Sequence, residues 1–440
     1  MASETGGVAG VADVAGVGQP LLSSADKAAS AAGFAPASGS SMRSTQLQST
    51  GWVGRCLDAV QSWAQSRVVQ PRFRRWAAGF WLTRGLVRRR AGALFDLVSG
   101  FVYTQVLLAC VRLDLFERLG AKGAQSCAQL AQAAQMPERS MQRLLDAAVA
   151  LRLFKRRFDG RYGLGALGAP MVGNSGLAAM VEHHAALYAD LRDPVALLRN
   201  EGQGTAMSAY WPYASYPQAD AMPAQAVAEY SALMTASQPM VIEELLDAYP
   251  FDRHRCLLDM GGGEGRFVAA LAAQAPKLQL MLLDLPPVAE LARKRLAALG
   301  LQDRVRAIGG SFFSADAPAG ADIVTLVRVL FDHDDAHALK ILRAARFALP
   351  TGGTLVVAEP MAQAPGAQAM GEAYFGFYLL AMGRGQPRSA QALGALLQQA
   401  GFRQVRQLRT RLPLQAGVLV AQAAELGSGF TPMPSGTSRQ

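Results

Sequence analysis

The feature that most limits what this chain can fold into is a run near its middle, Leu257-Leu-Asp259-Met-Gly261-Gly-Gly263-Glu-Gly265. An apolar run precedes it and a helix-periodic run follows. Glycines placed there let the backbone turn tightly and bring its amides close to a ligand, as a strand-to-helix loop around a nucleotide requires. The surroundings repeat the theme. Strands are predicted over 256–260, 278–283, 305–308, 323–329 and 355–359, and helices over 266–275, 288–299, 334–348 and 390–400. This alternation implies right-handed βαβ crossovers and a doubly wound, Rossmann-like parallel sheet, an α/β fold.

Carboxylates narrow the ligand. The loop opens on Asp259 and contains Glu264, and both would repel a pyrophosphate. A second acid, Asp284, ends the next strand, where it can accept both hydroxyls of a ribose. A nucleoside carrying an ammonium group and a cationic sulfur suits these residues, which favours S-adenosylmethionine over a nicotinamide dinucleotide.

The rest of the chain divides by composition. Residues 1–50 are Ala, Gly and Ser with no sustained period, and disorder is expected there. Residues 51–93 interleave aromatics with Arg67, Arg72, Arg74, Arg75, Arg84, Arg88, Arg89 and Arg90, with no acid between Arg67 and Arg90. That pattern suits contact with an anionic membrane surface; a solvated basic linker or an arm packing on a partner subunit are the alternatives. Because this stretch holds most of the net charge of +10, the remainder is near neutral and no nucleic-acid surface is indicated. The apolar stretches, 101–115 among them, read as too short or too interrupted to span a bilayer, which takes about 20 residues.

Residues 94–246 read as mostly helical. Two short helices, the second starting at Ser140 with Arg143 as its basic residue, precede a hairpin turning at Asp159-Gly160. Helix, turn, helix and hairpin make a winged-helix pattern, here better suited to protein contact than to DNA. Residues 247–425 hold the sheet and 426–440 a flexible tail. Four widely spaced cysteines read as free thiols, and no zinc-type spacing or secretory signal is present, so a cytoplasmic protein is expected. Two acids of the cluster Asp332-His333-Asp334-Asp335 and His337 fall at a helix start, so capping is preferred to metal binding. Adjacent His183 and His184 point about 100° apart on a helix and do not suit one ion.

Across 94–423 the chain resembles the class I S-adenosylmethionine-dependent O-methyltransferases of hydroxyindole and plant-phenol type, which join a winged-helix dimerisation domain to a Rossmann-like domain. The runs Leu326-Val-Arg-Val-Leu-Phe-Asp-His-Asp-Asp and Tyr374-Phe-Gly-Phe-Tyr-Leu-Leu-Ala-Met-Gly-Arg-Gly-Gln-Pro-Arg-Ser look like the bacterial hydroxyneurosporene (demethylspheroidene) methyltransferases of carotenoid synthesis. The resemblance implies a homodimer and cofactor contacts at Asp259, Gly261, Gly263, Asp284, Gly310, Ser311, Phe312 and Arg328. Ser311 replaces the acid that relatives place beside the adenine. It implies a substrate slot lined by Tyr230, Met234, Phe375, Tyr378 and Met382, residues that ordinary core packing would also explain.

The largest departure concerns the base. The histidine that takes a phenol's proton in the plant enzymes is Phe331 here, and of the two flanking acids one matches Glu359 and the other Pro387. A tertiary alcohol loses its proton only as the methyl arrives, so alignment and a late base suffice. His333 and Glu359 are the candidate catalytic residues. The resemblance thus implies methylation of the 1-hydroxy group of an acyclic carotenoid by a cytoplasmic enzyme that contacts the cytoplasmic or photosynthetic membrane peripherally. Methylation of a phenolic or polyketide product, and a winged-helix regulator that senses S-adenosylmethionine, are the competing readings.

Overall fold

The computed structural model describes residues 62, 66–67, 69–210, 238, 241–312, 318–413 and 416–425. The expectations for 1–50, for the 426–440 tail and for Tyr230 and Met234 therefore lie outside the described residues. Two compact units divide at Ala91. The first contributes the helix Pro71–Gly79, whose proline stands in the first turn, where an amide has no helical partner anyway.

A 29-residue helix, Arg84–Arg112, follows, and it corrects the expectation that nothing here could cross a bilayer. An 18-residue window in it has mean hydropathy 1.8 and is almost unburied. The residues 101–115 were too short on their own; Ala93 to Val98 extend the run backward, because Ser99 and Gly100 continue the helix instead of ending it. Leu94, Phe95, Leu97, Val98 and Phe101 all stand exposed along it.

The helices Cys127–Ala133 and Glu138–Ala150 and a two-stranded hairpin then come in the order read from the sequence. Strands β1 (Phe154–Arg156) and β2 (Tyr162–Leu164) pair antiparallel, with Gly160 at φ 78° in the turn. Ser126 and Gln129 form a reciprocal capping box on the first helix. The second helix starts two residues earlier than expected, so Arg139 joins Arg143 on it, offset by Glu138 and Asp146. Its apolar stripe, Met141, Leu145 and Ala148, closes a core with Leu115, Phe116, Leu130 and Phe154. Farther on, the helices Ser175–Asp190 and Pro194–Arg199 turn Leu187 and Leu197 against Phe331, Tyr378, Leu379 and Met382.

Seven strands make one sheet in the order β5-β4-β3-β6-β7-β9-β8. They are β3 (Cys256–Met260), β4 (Gln279–Asp284), β5 (Val305–Gly309), β6 (Ile323–Val327), β7 (Thr354–Glu359), β8 (Phe402–Leu408) and β9 (Gly417–Ala423). The first five run parallel, and β9 is antiparallel to both β7 and β8. All five residues of central β6 are buried, as expected for a strand covered on both faces. The last two strands were not anticipated. Alternating charge in Phe402-Arg-Gln-Val-Arg-Gln-Leu suits an edge and carries no buried-strand signature. Strand order reverses between β3 and β6, and the crevice beyond their carboxyl ends is where such sheets bind ligands.

Candidate active site

Two groups of side chains meet at that crevice. In the first, Asp259 is the penultimate residue of β3, and parallel register sets it opposite Thr325 on β6. Thr325 Oγ1 donates to Asp259 Oδ1 at 2.7 Å. Asp259 Oδ2 is shut from solvent and accepts no hydrogen bond from the described residues. Burial pushes this carboxyl up to about 7, with the Asp284 charge adding to the rise. The loop beyond takes left-handed backbone at Gly261 (φ 75°), Gly263 (φ 56°) and Gly265 (φ 79°). A Cβ at Gly261 would fall 2.7 Å from Val329 Cγ2, and one at Gly262 would fall 2.6 Å from Asp259 Oδ2. Glycine is therefore needed for both conformation and space.

Asp284 ends β4 next door. Its Oδ2 accepts from the Gly263 amide at 2.8 Å and its Oδ1 from the Leu285 amide at 2.7 Å. An ionised carboxylate has about four acceptor sites. Those left over can serve the two hydroxyls of a ribose. Burial lifts its pKa to about 6. Gly310 donates its amide to the Asp284 carbonyl at 2.9 Å, which brings Ser311 and Phe312 to the same place; a Cβ on Gly261 would meet the tip of Phe312 at 3.4 Å. Glu264, in contrast, turns to Arg295 at 3.6 Å, so the case against a pyrophosphate rests on Asp259 and Asp284. The orphaned Asp259 oxygen, the glycine cradle and the spare acceptors of Asp284 fit a cationic nucleoside such as S-adenosylmethionine.

The second group follows β6. Arg328 is held at φ 56°, an uncommon conformation for a side-chain-bearing residue, and such outliers gather at functional sites. Its guanidinium lies 5.8 Å from the Phe331 ring centroid. Glu359, at the end of β7, is buried, and its Oε1 accepts from the amides of Val329 at 3.1 Å and Leu330 at 2.5 Å. Burial pushes it to about 7. Asp332 is pushed higher, to about 8, by burial against the opposing pull of Arg328. Its Oδ1 is shut from solvent and has no hydrogen-bond partner among the described residues.

His333 follows, with its ring 6.4 Å from that of His337 and its carbonyl accepting from Arg388 Nη2 at 2.7 Å. Burial drops its pKa to about 4, so the imidazole is neutral at physiological pH. Asp334 caps the next helix by accepting from the His337 amide at 2.8 Å, and Asp335 accepts from Arg388 Nε at 2.8 Å. The capping reading holds for Asp334, and no metal-holding group of His, Cys, Asp or Glu occurs among the described residues.

An aromatic wall completes the site. A π-helical turn, Ala369–Tyr374, runs into the helix Phe375–Ala381; such turns recur at functional sites. The Phe375 ring meets Phe331 edge-on at 6.2 Å and Tyr374 at 4.9 Å. Tyr374 and Tyr378 hydroxyls pair with His184 Nε2 at 2.8 Å and His183 Nε2 at 3.0 Å. Each histidine thus has its own tyrosine, consistent with their divergence along the helix. Tyr378 and Met382 are buried in the cluster containing Leu187 and Leu197, so core packing accounts for them, whereas Phe375 is only half-buried.

Sequence reasoning missed Thr325, Arg388 and the contrast between Asp332 and Glu359. It also missed Gln238, whose Nε2 would lie 3.7 Å from a Cβ on Gly263 and whose Oε1 is buried with no hydrogen-bond partner among the described residues. The register of β3 on β6 would have found Thr325. No sequence signal marked the others.

Comparison with known proteins identifies the family and the fold. Residues 188–403 match the model of the O-methyltransferase domain and residues 95–173 that of the O-methyltransferase dimerisation domain. The chain is 41% identical to demethylspheroidene O-methyltransferase of Cereibacter sphaeroides over 338 residues, 77% of this chain and 88% of that one. It is 38% identical to the Rhodobacter capsulatus protein of the same name, over 78% of this chain and 84% of the relative. Among solved structures it is similar to the S-adenosylmethionine-dependent methyltransferase SibL, at 27% identity and TM-score 0.64 over 76% of this chain and 99% of that one. Human N-acetylserotonin methyltransferase, solved with S-adenosylmethionine, shares the fold at 20% identity and TM-score 0.64 over 76% of this chain and 98% of that one.

Proposed function

Because the chain belongs to the O-methyltransferase family, we propose that it methylates the 1-hydroxy group of an acyclic carotenoid, giving a methoxy end group. The observation that carries the substrate is the identity to two demethylspheroidene O-methyltransferases over most of their length. It is joined by Phe331, an aromatic side chain where a phenol-directed enzyme keeps its histidine. The active form is a homodimer, in which a second copy covers the apolar face that Leu94, Phe95 and Phe101 present.

When bound, S-adenosylmethionine supplies the methyl group and a positively charged sulfur. Asp259, Asp284 and the glycine loop hold it, with Phe312, Ser311 and Arg328 around it. Phe331, Phe375 and Tyr374 offer an apolar, largely dry wall to a polyene end, which aligns the hydroxyl by exclusion of water. Glu359 is a positioning residue, since its oxygen is committed to the amides of Val329 and Leu330. Asp332 Oδ1 is better placed than His333 to collect the alcohol proton. It has an uncommitted buried oxygen, and a raised pKa makes it a willing acceptor once a neighbouring cation has ionised it. His333 is a weak base with its pKa near 4.

The test is transfer of labelled methyl from S-adenosylmethionine to a 1-hydroxy acyclic carotenoid in detergent, beside a panel of phenols. Label on the carotenoid alone is expected. Label only on phenols overturns the substrate while leaving fold and donor standing.

A further inference from the structure

We propose that the corner formed by the helix Pro71–Gly79 and the first turns of the helix Arg84–Arg112 is a docking surface for an anionic phospholipid bilayer. The surface stands on its own chemistry. Only its use, bringing the enzyme to a lipid-dissolved substrate, rests on the carotenoid reading.

The corner is built. Thr83 Oγ1 donates to the Ala77 carbonyl at 2.7 Å and the Phe80 amide to the Trp76 carbonyl at 2.9 Å, which closes the turn between the helices. Aromatic rings line it in sequence: Phe73 against Trp76 at 5.5 Å, and Trp76 stacked on Phe80 at 5.0 Å. Yet the apolar tips point outward. Trp76 is 55% exposed, Trp81 70%, Leu82 64% and Leu86 52%.

Between these tips stand exposed arginines, and none of Arg72, Arg74, Arg75, Arg84 or Arg88 forms an ion pair among the described residues. The first acid beyond Arg67 is Asp96. Indole rings and aliphatic tips mixed with guanidinium groups match the headgroup layer, where rings sit at the polar boundary and cations meet lipid phosphates.

Charge selects this occupant over others. A second copy would bring an identical arginine cluster against the first and repel it. A nucleic acid would satisfy the arginines but give Leu82 and Leu86 nothing to enter. The apolar face farther along the same helix falls within the dimerisation match at 95–173, so its occupant is already supplied.

The experiment is sedimentation of the full-length protein with vesicles of phosphatidylcholine alone and of phosphatidylcholine mixed with phosphatidylglycerol. Binding is expected only on the anionic vesicles and is released by high salt. Each arginine removed should weaken partitioning about fivefold, so Arg84→Gln with Arg88→Gln and Arg89→Gln costs about a hundredfold. Trp76→Ala with Trp81→Ala should weaken binding without changing its salt dependence.

Because the arginines and Trp81 are exposed, and the loss of the Trp76 ring contacts leaves the backbone hydrogen bonds of both helices in place, the circular dichroism of both variants should match the parent, and so should methyl transfer to detergent-dispersed substrate. Transfer to substrate embedded in anionic vesicles should fall in both. Equal binding to neutral vesicles, retention in high salt as for a spanning helix, unchanged binding by the variants, or tighter binding to single-stranded DNA would each overturn the proposal. If no carotenoid is methylated at all, the vesicle result still stands or falls by itself.

Discussion

Two pairs of carboxyls face the same crevice, and they are held by different means. Asp259 and Asp284 sit at the ends of adjacent strands, and their partners are close at hand: a threonine across the ladder, the Gly263 amide of the intervening loop and the next residue's amide. Asp332 stands in the loop after β6 and Glu359 at the end of β7, the strand paired beside it. Glu359 commits its oxygen to the backbone of the loop that carries Asp332, and Arg388 fastens the far side of that loop. The first pair forms a fixed receptacle whose remaining acceptors await a ligand. In the second, one acid fixes the geometry so that the other can change its protonation. Burial raises all four, yet only one of them has both an uncommitted oxygen and a place beside the aromatic wall.

The sharpest way to break this contrast is Asp332→Asn. It should lower kcat by about a hundredfold or more, the usual worth of a general base, while calorimetric binding of S-adenosylmethionine persists. A His333→Ala variant that loses as much would return the proton to the histidine. Asp284→Asn should do the reverse. Weakening two charge-assisted hydrogen bonds costs about 10- to 100-fold in affinity for S-adenosylmethionine, with kcat at saturation little changed.

Glu359 separates position from chemistry. Glu359→Gln keeps an acceptor for the Val329 and Leu330 amides and should hold kcat within about tenfold. Glu359→Ala leaves those amides unsatisfied, at about 1–3 kcal/mol, and should lower both Tm and kcat.

The smallest effect is on pH dependence. Asp259, Glu359 and Asp332 keep their protons in the folded protein up to about pH 7, 7 and 8, whereas unfolded carboxyls lose theirs near pH 4. The unfolded chain therefore binds fewer protons across that interval, and stability falls as pH rises. Neutral-buried His183 and His333 act oppositely, but only below their unfolded pKa of 6.5. Between pH 6.5 and 8 the Tm of the unliganded protein should drop. Saturating S-adenosylmethionine, a cation beside these acids, should flatten the drop more than its neutral demethylated product does. Equal slopes would remove the charge argument.

The two pairs were not equally legible in the sequence. Asp259 and Asp284 are marked by the glycine loop and by strand ends, both local patterns, and the five parallel strands were read the same way. Asp332 stood inside a histidine- and acid-rich run that reads as a helix cap, and for Asp334 that is correct. What singles Asp332 out is the commitment of Glu359 elsewhere, a fact created by the pairing of β6 with β7. Arg388 is farther still, and its neighbour Pro387 drew notice only as a missing acid. Strand β8 hid behind its arginines. The long helix hid behind Ser99 and Gly100, residues that lower helix propensity without stopping a helix.

His183 and His184 engage two tyrosines one helical turn apart, and this has a mechanical consequence. Tyr374 ends the π-helical turn and Tyr378 lies in the helix that continues it, so the two contacts pin both sides of that junction. The aromatic wall is thereby fastened to the helix Ser175–Asp190 at two points instead of one.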